Sequence, residues 1–186
     1  MDLVSLDELG VSGDPVESGL TFETNARLKA RFAARATGLP ALADDSGLEV
    51  DALGGGPGVR TRRYAGPIAT DAENNARLLL ELEGVPPAWR GARYVCVLAL
   101  AVPTGATTRG RPDIVTRRGT CRGRIALAPR GRAGFGYDPI FEPASEPVGG
   151  RTFGLYGPAE KHRISHRARA ARAMGPILHG LASAPR

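Results

Sequence analysis

The sequence predicts a mixed α/β fold around one sheet, and three observations carry that prediction. Its 186 residues suffice for one sizeable core. Helical and extended patterns alternate in the order helix, strands, helix, long strand hairpin, loop, helix. No internal repeat, linker or low-complexity block interrupts them, so a single domain over residues 1–186 is expected. The order of the strands is left open by the pattern.

The first helix is read in "TFETNARLKARFAARATG". Thr21 can cap it, Phe22, Ala26, Ala30 and Ala33 recur at helical spacing, and Gly38 terminates it before Pro40. Asn25 and Lys29 are four apart and share one face. "PALAD" reads as a short strand ending at Asp44 and Asp45, "LEVDAL" as a second extended piece, and "GGGPG" at 54–58 as loop. "TDAENNARLLLELEG" carries a capping box, Thr70 with Glu73, and ends at Gly84, with Leu78, Leu79, Leu80 and Leu82 as a broad apolar face. "ARYVCVLALAVP" is the longest strand candidate, and "DIVTRRGTCRGRIA" is expected to pair with it antiparallel. "APRGRAGFGYDPIFEPAS" reads as a loop punctuated by glycine and proline, and "SHRARAARAMGPILHGLAS" as a terminal helix interrupted near Gly175-Pro176.

A formal net charge of +6 and a pI near 10.0 point to an anionic partner. The basic residues are scattered through several segments, which fits a solvated arginine-rich surface as well as a binding face, and no nucleic-acid partner is expected. Of 25 basic side chains only Lys29 and Lys161 are lysines. A compact ammonium suits a point contact to phosphate or to a polar base edge, where a planar guanidinium does not fit. Cys96 and Cys121 have no metal-ligand or CxxC spacing, so they read as two buried thiols in a reducing compartment. No run approaches the roughly 18 apolar residues of a membrane helix. The opening "MDLVSLDELG" lacks a basic leader with an apolar stretch, so a cytoplasmic location and no membrane partner are expected.

Beyond the first helix, three segments carry candidate chemistry. Asp44 and Asp45 close a strand, where alternate side chains face opposite ways, so they do not form a close dyad. A carboxylate there, beside Ser46 and Gly47, suits Mg²⁺, which takes one or two carboxylates and completes its shell with phosphate and water. Asp-Ser-Gly is equally a turn tripeptide. In "GFGYDPIF", Phe135 and Tyr137 alternate with glycines that let backbone approach a flat ligand, and Asp138 can accept from ring N–H groups. In "EKHRISHRARA", Ser165 can cap a helix whose first turn holds His166 and Arg167, with Lys161 just upstream.

Taken together, "TFETNARLKA", "ADDSGLEVDALGGGPGV" with "RYAG", "GFGYDPIF" and "EKHRISHRARA" resemble the noncanonical purine nucleoside triphosphate pyrophosphatases, the inosine triphosphatase or Ham1-like family. The resemblance spans residue 17 to about residue 180. It implies an elongated mixed sheet flanked by helices, with two lobes around a central nucleotide cleft. It further implies Mg²⁺-dependent hydrolysis of ITP, dITP and XTP to the monophosphate and pyrophosphate by a homodimer. On this sequence, Asp45 matches the proton acceptor and metal ligand, and Lys29 and Glu17 serve the phosphates and metal. Ser46 and Asn25 lie beside the substrate. Phe135 stacks on the purine with Gly136 and Tyr137 in the same loop, and Asp138, Lys161, Ser165, His166 and Arg167 surround the base.

The sequence departs from that family's layout in three places. The strand and Thr-Gly-Asn-x-Gly-Lys turn that open the family pattern are not found, so either a misassigned start or a shortened, weakly active nucleotide-binding homologue is expected. Arg60, Thr61 and Arg62 stand where an aromatic residue, Ser and Ala are usual, and Leu155 stands where an acid is usual. A basic nucleic-acid-binding module is the competing reading from another class.

Overall fold

The computed structural model describes residues 2–13, 15–103 and 112–183. Its α-helices are α1 (Phe22–Thr37), α2 (Asp71–Glu81), α3 (Pro158–Ile164) and α4 (His166–Ser183). Its strands are β1 (Ala41–Val50), β2 (Gly91–Val102), β3 (Asp113–Ile125) and β4 (Phe141–Pro143), forming one sheet in the order β1-β2-β3-β4. The mixed α/β fold and the adjacency of β2 and β3 are therefore as expected. The segment 104–111 between those two strands lies outside the described residues.

By its internal contacts the chain falls into two compact units. The first comprises Met1–Asp45, Cys96–Gly119 and Ala170–Arg186. Its framework helix is α1, and the sequence explains both ends. Thr21 accepts from the Thr24 N–H, and Gly38 closes the helix in the left-handed conformation at φ 69°, with its N–H on the Ala34 carbonyl. The buried stripe Phe22, Asn25, Ala26, Ala30, Ala33 and Ala34 is mostly alanine, which leaves room for close approach by neighbouring backbone. Asn25 is the polar member of that stripe.

The second unit comprises Ser46–Val95 and Thr120–Arg169 and holds a buried apolar cluster. Leu48, Val50, Leu78, Leu82, Tyr94, Ile125, Ile140, Phe141 and Phe153 are among its buried members. Three rings define its centre: Tyr94 lies 4.6 Å from Phe141, and Phe141 lies 5.2 Å from Phe153, both in tilted pairs. Helix α2 starts with the expected capping box, Thr70 and Glu73 each bonding the other's backbone. Its far end is held by Arg90, a guanidinium only 5% exposed, which donates to the carbonyls of Leu82 (2.7 Å), Val85 (2.9 Å) and Ala126 (3.2 Å). Burial with no carboxylate in that set lowers the Arg90 pKa from its ordinary value.

Several element expectations are corrected. Asp44 and Asp45 do not end a strand, because β1 runs unbroken from Ala41 through Asp-Asp-Ser-Gly to Val50. The carboxylate that would favour a turn is bound by side chains of α1 instead, which frees the backbone for the sheet. The apolar face of α2 is narrower than four leucines: Leu78 and Leu82 are buried, whereas Leu80 is 69% exposed. The loop after β3 contains a further strand, β4, antiparallel to β3 with Arg124 opposite Glu142. Helix α4 passes through Pro176 without interruption. That proline is exposed, where water can serve a carbonyl that lacks its helical donor. Cys96 and Cys121 are buried and form no disulfide with each other, as expected.

Candidate functional site

Two side-chain clusters, one in each unit, gather most of the candidate residues. In the first, Lys29 of α1 extends its ammonium to Glu17 at 2.6 Å, to the Asp45 carboxylate at 2.9 Å and to the Asp44 carbonyl at 3.3 Å. Asn25, one helical turn earlier and fully buried, donates from Nδ2 to the other Asp45 oxygen at 3.3 Å. Its own Oδ1 accepts from the Gly19 N–H at 2.8 Å. Gly19 approaches so closely that an added Cβ would lie 2.4 Å from that Oδ1. The helical spacing that put Asn25 and Lys29 on one face thus places both on Asp45, one on each carboxylate oxygen.

The electrostatics of this cluster are opposed. Burial raises the Asp45 pKa most, the Lys29 hydrogen bond and charge pull it back, and the Glu17 charge pushes it up again; the net direction is up. For Lys29, burial disfavours the cation, but hydrogen bonds and charges from Glu17 and Asp45 outweigh it and raise its pKa. Two carboxylates facing one cation are the donor set of a hard divalent ion that shares its shell with phosphate and water. Among the described residues no group of three His, Cys, Asp or Glu side chains could hold a metal by itself. The donor set therefore fits an ion carried jointly with a ligand, and does not fit an all-protein cage.

The second cluster surrounds Phe135, a residue 56% exposed although large and apolar. Lys161 places its ammonium 4.4 Å from that ring's centroid, and the Arg167 guanidinium lies 5.4 Å from it. Asp138 holds the arrangement from beneath. It is 1% exposed, pairs with Lys161, accepts from the Phe135 N–H at 2.8 Å, and accepts from the Tyr94 hydroxyl at 3.3 Å. Burial and the Asp138 charge hold the Tyr94 phenol well above its ordinary pKa, so it stays a donor. His166 is buried and stacks on Tyr94, ring centroids 4.8 Å apart and planes 11° from parallel. Ser165 precedes α4 and accepts from the Ala168 N–H at 3.2 Å, the capping role expected of it.

Ser46 follows Asp45 in β1 and is half-buried. Tyr137 is buried, with its hydroxyl on the Thr61 carbonyl at 2.8 Å, and burial raises its pKa. Gly136 lies between Phe135 and Tyr137 with φ 61°. Lys161 lies just upstream of the helix that Ser165 caps, as expected, and itself belongs to a short helix, α3. Sequence reasoning missed Tyr94, which looks like any aromatic in a long apolar strand. It also missed the adjacent pair Asn74 and Asn75: two buried amides on the capped helix α2 were the available signal. Asn74 accepts from the Ala65 N–H at 2.8 Å and donates to the Arg62 carbonyl at 3.0 Å, which fixes the segment carrying Arg60, Arg62 and Arg63.

The chain is therefore an α/β protein that carries a carboxylate–ammonium cluster in its first unit and a cation-flanked aromatic platform in its second. It belongs to the Ham1 family, whose sequence pattern matches residues 1–177. It is 50% identical over 170 residues to a dITP/XTP pyrophosphatase of Syntrophobacter fumaroxidans, covering 91% of this chain and 68% of that protein. Identity to the dITP/XTP pyrophosphatase of Geobacillus kaustophilus is also 50%, with 91% and 78% covered. Among solved structures, the Ham1 protein of Staphylococcus aureus superposes with a TM-score of 0.84 at 37% identity, covering 95% of this chain and 86% of that one. A HAM1 protein from Coxiella burnetii gives 0.81 at 44% identity, with 94% and 84% covered.

Proposed function

We propose that this protein hydrolyses noncanonical purine nucleoside triphosphates, dITP, ITP and XTP, to the monophosphate and pyrophosphate. The observation that carries the chemistry is Asp45, a buried carboxylate held by Lys29 on one oxygen and Asn25 on the other. In the reaction a water oxygen bonds to the α-phosphorus, the bond from that phosphorus to the bridging oxygen breaks, and pyrophosphate leaves. Asp45 accepts the proton that the water gives up, and burial that raises its pKa makes it a better acceptor than a free aspartate. Lys29 supplies positive charge to the phosphates and keeps Asp45 oriented, and Asn25 fixes the carboxylate plane. Glu17 and Asp45 would hold Mg²⁺, which supplies charge neutralisation at the phosphates.

The second cluster takes the base. Phe135 offers an exposed ring for stacking, worth roughly 1–3 kcal/mol per base. Lys161 and Arg167, which carry donors and no acceptors, suit the 6-oxo group of hypoxanthine and xanthine. The 6-amino group of adenine would set donor against donor, the basis on which ATP is refused. Asp138 positions Lys161 and the Phe135 backbone, and Tyr94 and His166 support it from below. A homodimer belongs to the same reading, since Ile68, Leu80 and Trp89 of the second unit are large apolar side chains left 96%, 69% and 74% exposed. No described helix is long and apolar enough to cross a membrane.

The test is pyrophosphate release with Mg²⁺ from ITP, dITP, XTP and ATP, by the native chain and by Asp45→Asn. Turnover of the 6-oxo purines, with ATP at least about 100-fold poorer in kcat/KM, is expected from one mismatched polar group. Asp45→Asn should drop ITP turnover by at least about 100-fold. Equal turnover of ATP and ITP, or an active Asp45→Asn protein, overturns the proposal.

A further inference from the structure

Gly136 follows Phe135 at φ 61°, and a Cβ added there would meet nothing within 4 Å. Glycine at this position answers a backbone requirement and not a shortage of space. Both backbone groups of Gly136 are taken by one helix. Its N–H donates to Asp71 Oδ2 at 2.6 Å, and its carbonyl accepts from Asn75 Nδ2 at 3.0 Å. Asp71 opens α2 and Asn75 stands four residues later on the same face. The start of the helix does not need the Asp71 carboxylate, because Thr70 and Glu73 already close its capping box. Asn75 is 6% exposed, and its Oδ1 has no partner among the described residues. A buried amide thus leaves its oxygen unsatisfied while its nitrogen serves Gly136, a cost that a merely structural site would avoid with an apolar side chain.

We infer that Asp71 and Asn75 are positioning residues that set the angle of the Phe135 platform by clamping the two peptide planes flanking Gly136. The inference deepens the base-binding reading and rests on it. The N–H of residue 136 lies in the peptide that joins it to Phe135, and its carbonyl lies in the peptide that joins it to Tyr137. On its other side Phe135 is held by Asp138, which accepts the Phe135 N–H at 2.8 Å and donates its own N–H to the Phe135 carbonyl at 3.3 Å. The aromatic residue is therefore held within its own loop by Asp138 and from α2 by the clamp. Releasing the clamp lets the left-handed turn relax and the ring leave its place beside Lys161 and Arg167. The expected kinetic result is weaker nucleotide binding with unchanged chemistry, since neither residue belongs to the cluster around Asp45.

The experiment is steady-state hydrolysis of ITP by Asp71→Ala, Asp71→Asn and Asn75→Ala, each alone and combined with Phe135→Ala, with thermal melts to confirm folding. Asp71→Ala and Asn75→Ala should raise KM about 5- to 20-fold with kcat within about twofold, the pattern of lost uniform binding. Asp71→Asn keeps an oxygen for the Gly136 N–H and should recover most of the affinity lost in Asp71→Ala. In the Phe135→Ala background either alanine substitution should add less than about twofold, because the ring they aim is gone. The same KM factor in both backgrounds, a fall in kcat at constant KM, or no recovery by Asp71→Asn overturns the clamp while leaving base stacking intact. A Phe135→Ala protein with unchanged KM sinks the stacking reading itself. Should Asn75→Ala fail to fold, the exposed Asp71 series decides the matter alone.

Discussion

Replacing Asn25 by Asp tests the first cluster most sharply, because it changes one atom's chemistry at constant shape. Asn25 is fully buried, its Oδ1 receives the Gly19 N–H, and its Nδ2 faces Asp45 Oδ2 at 3.3 Å. In Asn25→Asp the Gly19 bond survives, and the donor facing Asp45 becomes a second carboxylate oxygen. Two unit charges at that separation repel by roughly 5 kcal/mol at an effective dielectric constant of about 20. The pair can escape by taking up one proton, and at pH 7 protonating a carboxyl of ordinary pKa costs about 4 kcal/mol, so the smaller figure governs. Lys29 on the other Asp45 oxygen softens the repulsion, which leaves an expected destabilisation of about 3 kcal/mol at neutral pH.

The sign with pH follows from proton counting. The folded variant binds a proton that the unfolded chain does not, so its stability falls as pH rises above the ordinary aspartate range and recovers on acidification. Each pH unit between about 4 and 7 should change the difference from the native protein by about 1.4 kcal/mol until the repulsion limit is met. Asn25→Ala also destabilises, through lost bonds and a cavity, but with no such slope. Urea denaturation at pH 5 and pH 7 reads both. An Asn25→Asp protein whose deficit is the same at the two pH values would refute the assignment of Asn25 as donor to Asp45.

Other outcomes follow from burial and bonding. Arg90→Met should cost about 3–5 kcal/mol in chemical denaturation, since three carbonyls lose a buried cationic donor. Leu78→Ala should cost about 2–5 kcal/mol in chemical denaturation, because the Leu78 side chain is fully buried in the cluster beneath α2. Burial pushes the Cys121 thiol up to about 11, so at pH 8 iodoacetamide should leave it unmodified in the folded protein and alkylate it in urea, as mass spectrometry of digests will report.

What the sequence revealed was local. The capping signals of α1 and α2 lie within a few residues of one another, and Thr21, Gly38, Thr70 and Glu73 perform as read. The Asn25 and Lys29 pairing was legible because helical periodicity alone puts them on one face. The path of β1 was not, since Asp-Ser-Gly carries turn preference and only side chains from α1 override it. Strand β4, three residues long, is defined by its partner β3 and by no pattern of its own. Tyr94, Asp71 and Asn75 were missed for a related reason: their bonds join residues 44, 65 and 61 positions apart, beyond the reach of any spacing rule.

The scarcity of lysine has a practical consequence. Lys29 and Lys161 are the chain's only side-chain amines, and each stands at the ionic centre of one cluster. An acylating reagent aimed at primary amines therefore finds two internal addresses, one beside the acidic pair and one beside the aromatic platform. Nucleotide added beforehand would shield each address according to whether its own cluster is occupied, so the protein carries a built-in two-channel footprint of ligand engagement.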